Sequence, residues 1–339
     1  MHNHRLSRAG WTRRQLLKAT ALAGAGAGIA AITGRSAFAA DAAAFGVKLA
    51  WIPNVEYSGY YLAQAQGIYE AAGVAPDILP GGPNSPVVPL VATGTALIGL
   101  EAVPENVINA INSGSKLKIV GAQFQKSPEC WVSLAAAPIK TPKDIEGKRL
   151  GITLAGRNTA ITFMQLNGVD TEKVTLVPIQ YDPGPLAAGE IDALWGFASN
   201  QPVSLDNRGF PSYTMPLADF GFNRMQNVLF VSEDTLADPE KSEQVRNFLA
   251  ASSEGWSKAL ANQDEAVAVI IEQFGQNLGL VAEEQAKVMA AMVPYLTRHD
   301  ETDKSQFWMS DALIEESITN LGRIGVQATP AMFTNELLS

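Results

Sequence analysis

The sequence predicts an α/β protein of two lobes, each a mixed β-sheet flanked by helices, with a central cleft between them. Three observations carry this reading. Short apolar runs alternate with amphipathic segments through most of the chain, the rhythm of largely parallel sheets covered by helices. The 339 residues, less an N-terminal leader, are about two domains long. The pattern also crosses from one unit to the other twice, near Gln125 and near Met215.

Residues 1–39 stand apart from the fold and read as a signal peptide. They carry six basic side chains (Arg5, Arg8, Arg13, Arg14, Lys18, Arg35) and no acid. An Ala- and Gly-rich stretch over 19–32 follows, and then Ala37-Phe38-Ala39, a small-x-small cleavage pattern. The apolar stretch is too short and too rich in glycine to span a membrane. Thr12-Arg13-Arg14-Gln15-Leu16-Leu17-Lys18 resembles the twin-arginine export signal, an ordinary secretory leader being the alternative. No cysteine lies near the cleavage site, so a soluble periplasmic protein without a lipid anchor is expected. The one cysteine, Cys130, allows no intrachain disulfide, so the fold must rest on its core.

After the leader a strand is expected over 47–51 and a helix over 58–66, ended by Gly67 in a left-handed cap. A strand over 76–79 meets the Gly81-Gly82-Pro83-Asn84 turn. A helix follows at about 86–93, then a strand over 96–100, a helix over 103–113 ended by Gly114, and a strand over 118–123. The second unit opens with a strand over 131–135 and a short helix started by Thr141 as N-cap and Pro142 at the first position. Strands over 149–154, 174–179 and 191–197 alternate there with helices over 158–167, 185–189 and 200–209. The chain returns over 213–215, and 227–231 rejoins the first sheet as a strand. The remainder reads as helices: 238–261 capped by Asp238-Pro239, then 263–274, 282–292 and 308–321. The lobes so drawn are 45–125 with 217–339, and 126–216.

Trp51-Ile52-Pro53-Asn54, Tyr57-Ser58-Gly59-Tyr60-Tyr61-Leu62-Ala63 and Gly67-Ile68-Tyr69 resemble the opening of a known family. It comprises the solute-binding proteins of ABC importers that handle thiamine pyrimidine precursors and their relatives. Gly81-Gly82, Leu90-Val91-Ala92-Thr93-Gly94, Ile139-Lys140-Thr141-Pro142-Lys143-Asp144 and Asn200-Gln201-Pro202 extend the resemblance, as does the tail from Phe248-Leu249 to Asp264-Glu265-Ala266-Val267. The resemblance implies a type II periplasmic-binding-protein fold, a small-molecule ligand, a membrane permease as partner and a monomer without cofactor. Members take aminopyrimidines, riboflavin, sulfonates or nitrate, so membership does not name the ligand. A related branch of pyrimidine synthases uses a histidine and a cysteine-rich iron motif. Here only His299 and Cys130 remain after the leader, far apart in sequence, which argues against a metal site and against catalysis.

Ligands of open α/β sheets bind outside the carboxyl ends of the strands. A planar heterocycle needs aromatic faces for stacking and a few groups along its hydrogen-bonding edge. Trp51, Asn54 and Tyr57 lie where the first binding loop should be, although Trp51 would equally suit the core. Tyr60 and Tyr61 cannot both face a cleft from one helix, and Tyr61 is the candidate of the two. Trp195 and Phe197 share one face of a strand and, with Asn200 beyond them, could form the opposite jaw, core packing of one of the pair being the alternative. Arg157 and Asn158 sit at a helix start suited to an anionic group, where a solvated arginine and a simple cap are the alternatives. Glu101 ends a strand and could accept from an exocyclic amine, whereas Glu105 suits a helix start. Gln125 and Tyr181 complete the set. Acidic side chains number 34 against 25 basic ones, which argues against nucleic acid or an anionic membrane as partner. A nitrogen heterocycle is the first expectation; a sulfonate or nitrate anion is the alternative.

Overall fold

The computed structural model describes residues 44–82, 85–154, 156–296 and 304–338. The leader over 1–39, the Pro83-Asn84 half of the predicted turn and His299 lie outside the described residues.

Two five-stranded sheets organise the chain. The first begins with β1 (Ala44–Lys48), β2 (Ala75–Leu79), β3 (Ile98–Glu101) and β4 (Leu117–Phe124). The second comprises β5 (Glu129–Leu134), β6 (Arg149–Ile152), β7 (Thr175–Pro178), β8 (Ala193–Phe197) and β9 (Ser212–Pro216), after which β10 (Gln226–Ser232) returns to the first. The strand orders are β2-β1-β3-β10-β4 and β7-β6-β8-β5-β9. Each sheet therefore follows one plan: three parallel strands, then a strand antiparallel to both its neighbours. That strand is β10 in the first sheet and β5 in the second, the two strands that follow the crossings. The predicted mixed sheets are thus present.

The helices are α1 (Ser58–Ala65), α2 (Ile68–Ala71), α3 (Val88–Ala92), α4 (Pro104–Asn112), α5 (Arg157–Leu166), α6 (Gly184–Ala187) and α7 (Gln201–Asn207), followed by α8 (Glu233–Ala237), α9 (Pro239–Ala261), α10 (Gln263–Val269), α11 (Ala282–Leu296) and α12 (Asp311–Arg323). Their ends follow local chemistry. Gly67 takes the left-handed conformation expected of it, at φ 69°. The Asp238 carboxylate accepts from the backbone N–H groups of Glu240 and Lys241 at 3.0 and 3.3 Å, with Pro239 at the first position of α9. Thr141 and Asp144 form a capping box around the 3-10 turn Pro142–Ile145.

Several boundaries depart from the sequence reading. The strand expected over 47–51 ends at Lys48, because the N–H groups of Gly81 and Gly82 bind the carbonyls of Trp51 and Ala50 at 2.8 and 3.2 Å. That turn, rather than the sheet ladder, fixes residues 50–51. A Cβ on Gly81 would sit 2.3 Å from the Ala50 backbone, so the close approach requires glycine. The helix expected over 263–274 stops at Val269 and widens into a π-turn, Ile270–Phe274, closed by the N–H of Gly275 on the Ile270 carbonyl. The last long helix starts at Asp311 rather than 308, where Ser310 caps it. The return over 213–215 is a full edge strand, β9, paired with β5.

The largest buried cluster lies between the first sheet and α1, α9, α10 and α11. Its centre is aromatic: Tyr60 stacks between Phe248 and Phe307, with centroids 6.2 and 5.9 Å away, and meets the edge of Trp256. The crossings are polar instead. Arg224, 1% exposed, reaches Glu129 at the start of β5 at 2.6 and 3.1 Å and Glu105 of α4 at 2.7 Å. The amide of Asn223 accepts from the Ser127 N–H at 2.9 Å and donates to Glu316 of α12 at 2.7 Å. Both crossing segments are therefore tied to each other and to α12.

Candidate functional site

A cavity of about 890 Å³ opens between the carboxyl-end loops of the two sheets. That size falls within the usual range for small-molecule sites. One wall comes from the first sheet. Trp51 follows β1, Glu56 sits on a 3-10 turn (Val55–Tyr57), Pro86 and Val87 precede α3, Glu101 ends β3, Ala102 and Val103 join it to α4, and Asn106 lies in the first turn of α4. The facing wall comes from the second sheet: Tyr181 to Pro183 after β7, Phe197 at the end of β8 and Asn200 beyond it, and Ser204 and Arg208 along and beyond α7. Glu284 of α11 adds a residue from the C-terminal helices.

The walls meet through aromatic rings. Trp51 and Tyr181 contact edge-on, with centroids 6.4 Å apart and planes at 65°. Gln201 braces the second wall, its side-chain oxygen accepting from the Phe197 N–H at 2.8 Å and its nitrogen donating to the Tyr181 carbonyl at 3.3 Å.

The first wall is acidic. Glu101 is 8% exposed, and one of its oxygens accepts from the Asn106 amide at 3.0 Å. Burial raises its carboxyl above the usual range, against the Asn106 bond and the backbone N–H groups of Val103 and Ala102. Burial likewise raises Glu56, opposed by the bond from Asn227 to its Oε1 at 2.8 Å. Asn227 holds the positive φ of 48° that this arrangement demands, while its own N–H donates to the Ala102 carbonyl. Arg208 is the one cation on the cavity walls among the described residues, and it is paired with Asp182 at 3.1 Å. Four carboxylates against one engaged guanidinium make the cavity a poor place for a free anion.

Of the residues singled out from the sequence, Trp51, Glu101, Tyr181, Phe197 and Asn200 come together on the cavity. The others lie elsewhere. Asn54 caps the 3-10 turn, accepting from the Glu56 N–H at 3.0 Å, so it shapes the wall from behind. Tyr57 is buried against Tyr60, and Tyr61 packs on Phe274 at 4.4 Å between centroids. Gln125 braces the first crossing through the carbonyls of Ala122 and Gln306. Trp195 is 3% exposed and meets Trp131 edge-on at 5.4 Å, filling the core beneath β8. Arg157 and Asn158 are exposed in the first turn of α5, away from the cavity wall.

Sequence reasoning missed Glu56, Asn106, Asp182 and Arg208. A usable signal for Glu56 was its isolation: it is the only charged residue between Ile52 and Tyr61, beside the aromatic Tyr57, Tyr60 and Tyr61. No group of three or more His, Cys, Asp or Glu side chains able to hold a metal occurs among the described residues. No helix among them is long and apolar enough to cross a membrane.

A family model described as NMT1/THI5 like matches residues 54–266. The chain is 28% identical over 237 residues to the riboflavin-binding protein RibY of Chloroflexus aurantiacus, covering 65% of this chain and 63% of that protein's own length. It is 25% identical over 254 residues to the formylaminopyrimidine-binding protein of Halalkalibacterium halodurans, covering 73% and 76% respectively. The fold is similar to the periplasmic aliphatic sulphonate binding protein SsuA from Escherichia coli, with a TM-score of 0.63 and 14% identity over 83% of this chain and 85% of that one. It is also similar to a desulfurization enzyme, DSZB, with a TM-score of 0.58 and 15% identity over 86% of this chain and 97% of that one.

Proposed function

This chain belongs to the NMT1/THI5-like family, and we propose that it is the solute-binding component of an ABC importer that captures a small nitrogen heterocycle by closure of two lobes. The observation that carries this reading is the cavity between the sheets, aromatic on both walls and carboxylate-rich on one. Rings such as Trp51, Tyr181 and Phe197 offer faces and edges to a planar solute. Glu101 and Glu56 offer acceptors to its N–H groups. Binding by residues of both walls favours the closed arrangement, which is how a hinged receptor signals occupancy. The names of the two relatives, a riboflavin-binding and a formylaminopyrimidine-binding protein, point to the same ligand class.

The leader adds export to a periplasm through the twin-arginine route, with a permease in the adjoining membrane as partner. A sulfonate or nitrate ligand is the second reading, suggested by the fold neighbour, but the acid-rich cavity speaks against it. Turnover of the heterocycle is a third reading. It lacks a nucleophile paired with a base on the cavity walls among the described residues.

The test is thermal unfolding of the ligand-stripped mature chain against aminopyrimidines, flavins, purines, alkanesulfonates and nitrate. A ligand at a hundred times its dissociation constant adds about 2.7 kcal/mol. A shift of the midpoint by at least a few degrees with a heterocycle is expected. A shift confined to the anions refutes the heterocycle assignment, and disappearance of the heterocycle from the mixture refutes simple capture.

A further inference from the structure

We propose that Arg224 is a positioning residue for the cavity: its two-pronged pair with Glu129 sets the angle between the two sheets, and so where the Phe197 ring stands opposite the first wall. This rests on reading the cavity as the ligand site and goes beyond it, to what holds the two walls in register.

The second crossing is not a free linker. Over 221–225 it is bound to α12 at successive points. The Gly221 carbonyl accepts from Arg323 at 3.1 Å, the Asn223 carbonyl accepts from Asn320 at 2.7 Å, and the Met225 N–H donates to Ser317 at 3.0 Å. α12 is in turn packed on the first sheet, its Leu313 and Leu321 sharing a buried cluster with Ile119 and Val228. Arg224 is thus carried by the first lobe, and its guanidinium reaches the first residue of β5 in the second. Nη1 donates to Glu129 Oε2 at 2.6 Å and Nη2 to Oε1 at 3.1 Å, with the Phe222 ring centroid 5.4 Å from Cζ. Within its own lobe Arg224 meets Glu105 through Nη2 alone, at 2.7 Å, and the second Glu105 oxygen is buried without a partner. The fork is spent across the crossing, and the single contact within the lobe.

Two parallel N–H bonds to one carboxylate fix orientation as well as distance, which a single bond does not. Separating such a buried pair leaves an uncompensated charge, so a rotation that parts them is resisted far more than the parting of exposed contacts. Glu129 passes this constraint to the cavity, because it stands opposite Phe197 in the β5–β8 ladder and Phe197 lines the second wall. On the other flank, Asn106 follows Glu105 in α4 and lines the first wall. The triad therefore connects to both walls from behind, through side chains that do not line the cavity themselves.

The test is the distance between two spin labels in the ligand-free chain. They are placed at Gln165→Cys in α5 and Ala250→Cys in α9, exposed positions of the second and first lobes, while the native Cys130 is buried and stays unlabelled. Glu129→Gln keeps the side-chain shape but turns one acceptor into a donor, and Arg224→Lys keeps the charge but loses the fork. Each should shift the maximum of the distance distribution by more than the wild-type width, or split it. Glu129→Asp retains a carboxylate at shorter reach and should restore a single maximum. Leu150→Ala is the control: it opens a cavity in the core of the second sheet, and should lower the unfolding midpoint with the distances unchanged. An unmoved distribution in folded Glu129→Gln and Arg224→Lys overturns the proposal, and so does an equal shift in Leu150→Ala. No ligand enters this measurement, so a failure of the heterocycle reading is registered separately, by the unfolding panel.

Discussion

Glu101 and Glu56 are held where ionisation is resisted, since burial raises both carboxyls. In the unfolded chain a glutamate titrates near about 4.3. Between that value and the raised folded one, the native state holds more protons than the unfolded state, so stability falls as pH rises. Exposed caps act in the opposite direction at lower pH. Asp238, for example, is depressed by the backbone N–H of Lys241 and loses its contribution as pH falls. Denaturation of the ligand-free chain as pH rises from the unfolded glutamate range should therefore show a declining contribution that Glu101→Gln reduces. An identical decline in the variant would mean that Glu101 ionises normally. At this scale the sequence was half legible. Trp195 and Phe197 share a strand face, yet one meets Trp131 in the core and the other reaches the cavity. Periodicity assigns the face; depth along it depends on Trp131, which lies 64 residues earlier in the chain and pairs directly across the sheet.

The elements were more legible than the contacts between them. Caps such as Gly67, Thr141 and Asp238 act within a few residues, so their chemistry is local and readable. The packing of α1 on α9 is not. A Cβ on Gly255 would lie 2.2 Å from the Gly59 carbonyl oxygen and 2.8 Å from Ala63. A Cβ on Gly59 would fall 2.3 Å from the Trp256 ring. Gly255 inside α9, at a cost of about 1 kcal/mol of helix propensity, and Gly59 in the first turn of α1 let the helices approach backbone to backbone. Gly255→Val should destabilise the chain by about 1–3 kcal/mol through overpacking, read as a lower urea midpoint with an unchanged slope. A wild-type midpoint would mean that the helices separate freely. The π-turn after α10 had no sequence signature, because Ile270–Phe274 continues a helical pattern while its hydrogen bonds shift by one residue.

Among the described residues, contacts across the cleft include Trp51 with Tyr181, the donation from Lys287 of α11 to the Asn207 side chain at the end of α7 at 2.6 Å, and Val203 of α7, which is buried in the cluster that holds α11. The first two are partly or fully exposed, unlike Val203 and the buried Arg224 ion triad at the crossings. Movement of 45–125 with 217–339 against 126–216 would then pivot at the crossings while the bridging contacts open. Small-angle scattering should give a larger radius of gyration for the ligand-free chain than for the complex. Equal radii would exclude closure as the response to ligand. The sequence reading sets the crossings near Gln125 and Met215; the chain passes between the sheets over 125–128 and over 217–225. The partners of Arg224 were not legible in the sequence, because Glu105 and Glu129 lie 119 and 95 residues away in the chain.

The placement of β10 between β3 and β4 has a consequence for how the protein is made. A nascent chain that has emerged only as far as β9 contains the whole second sheet, but its first sheet still has a vacant slot bordered by two unsatisfied strand edges. Such edges are sticky toward other chains. The first half of the polypeptide must therefore wait for the ribosome to deliver residues 226–232 before it can close. Any truncation before that point should yield an aggregation-prone fragment rather than a smaller working receptor.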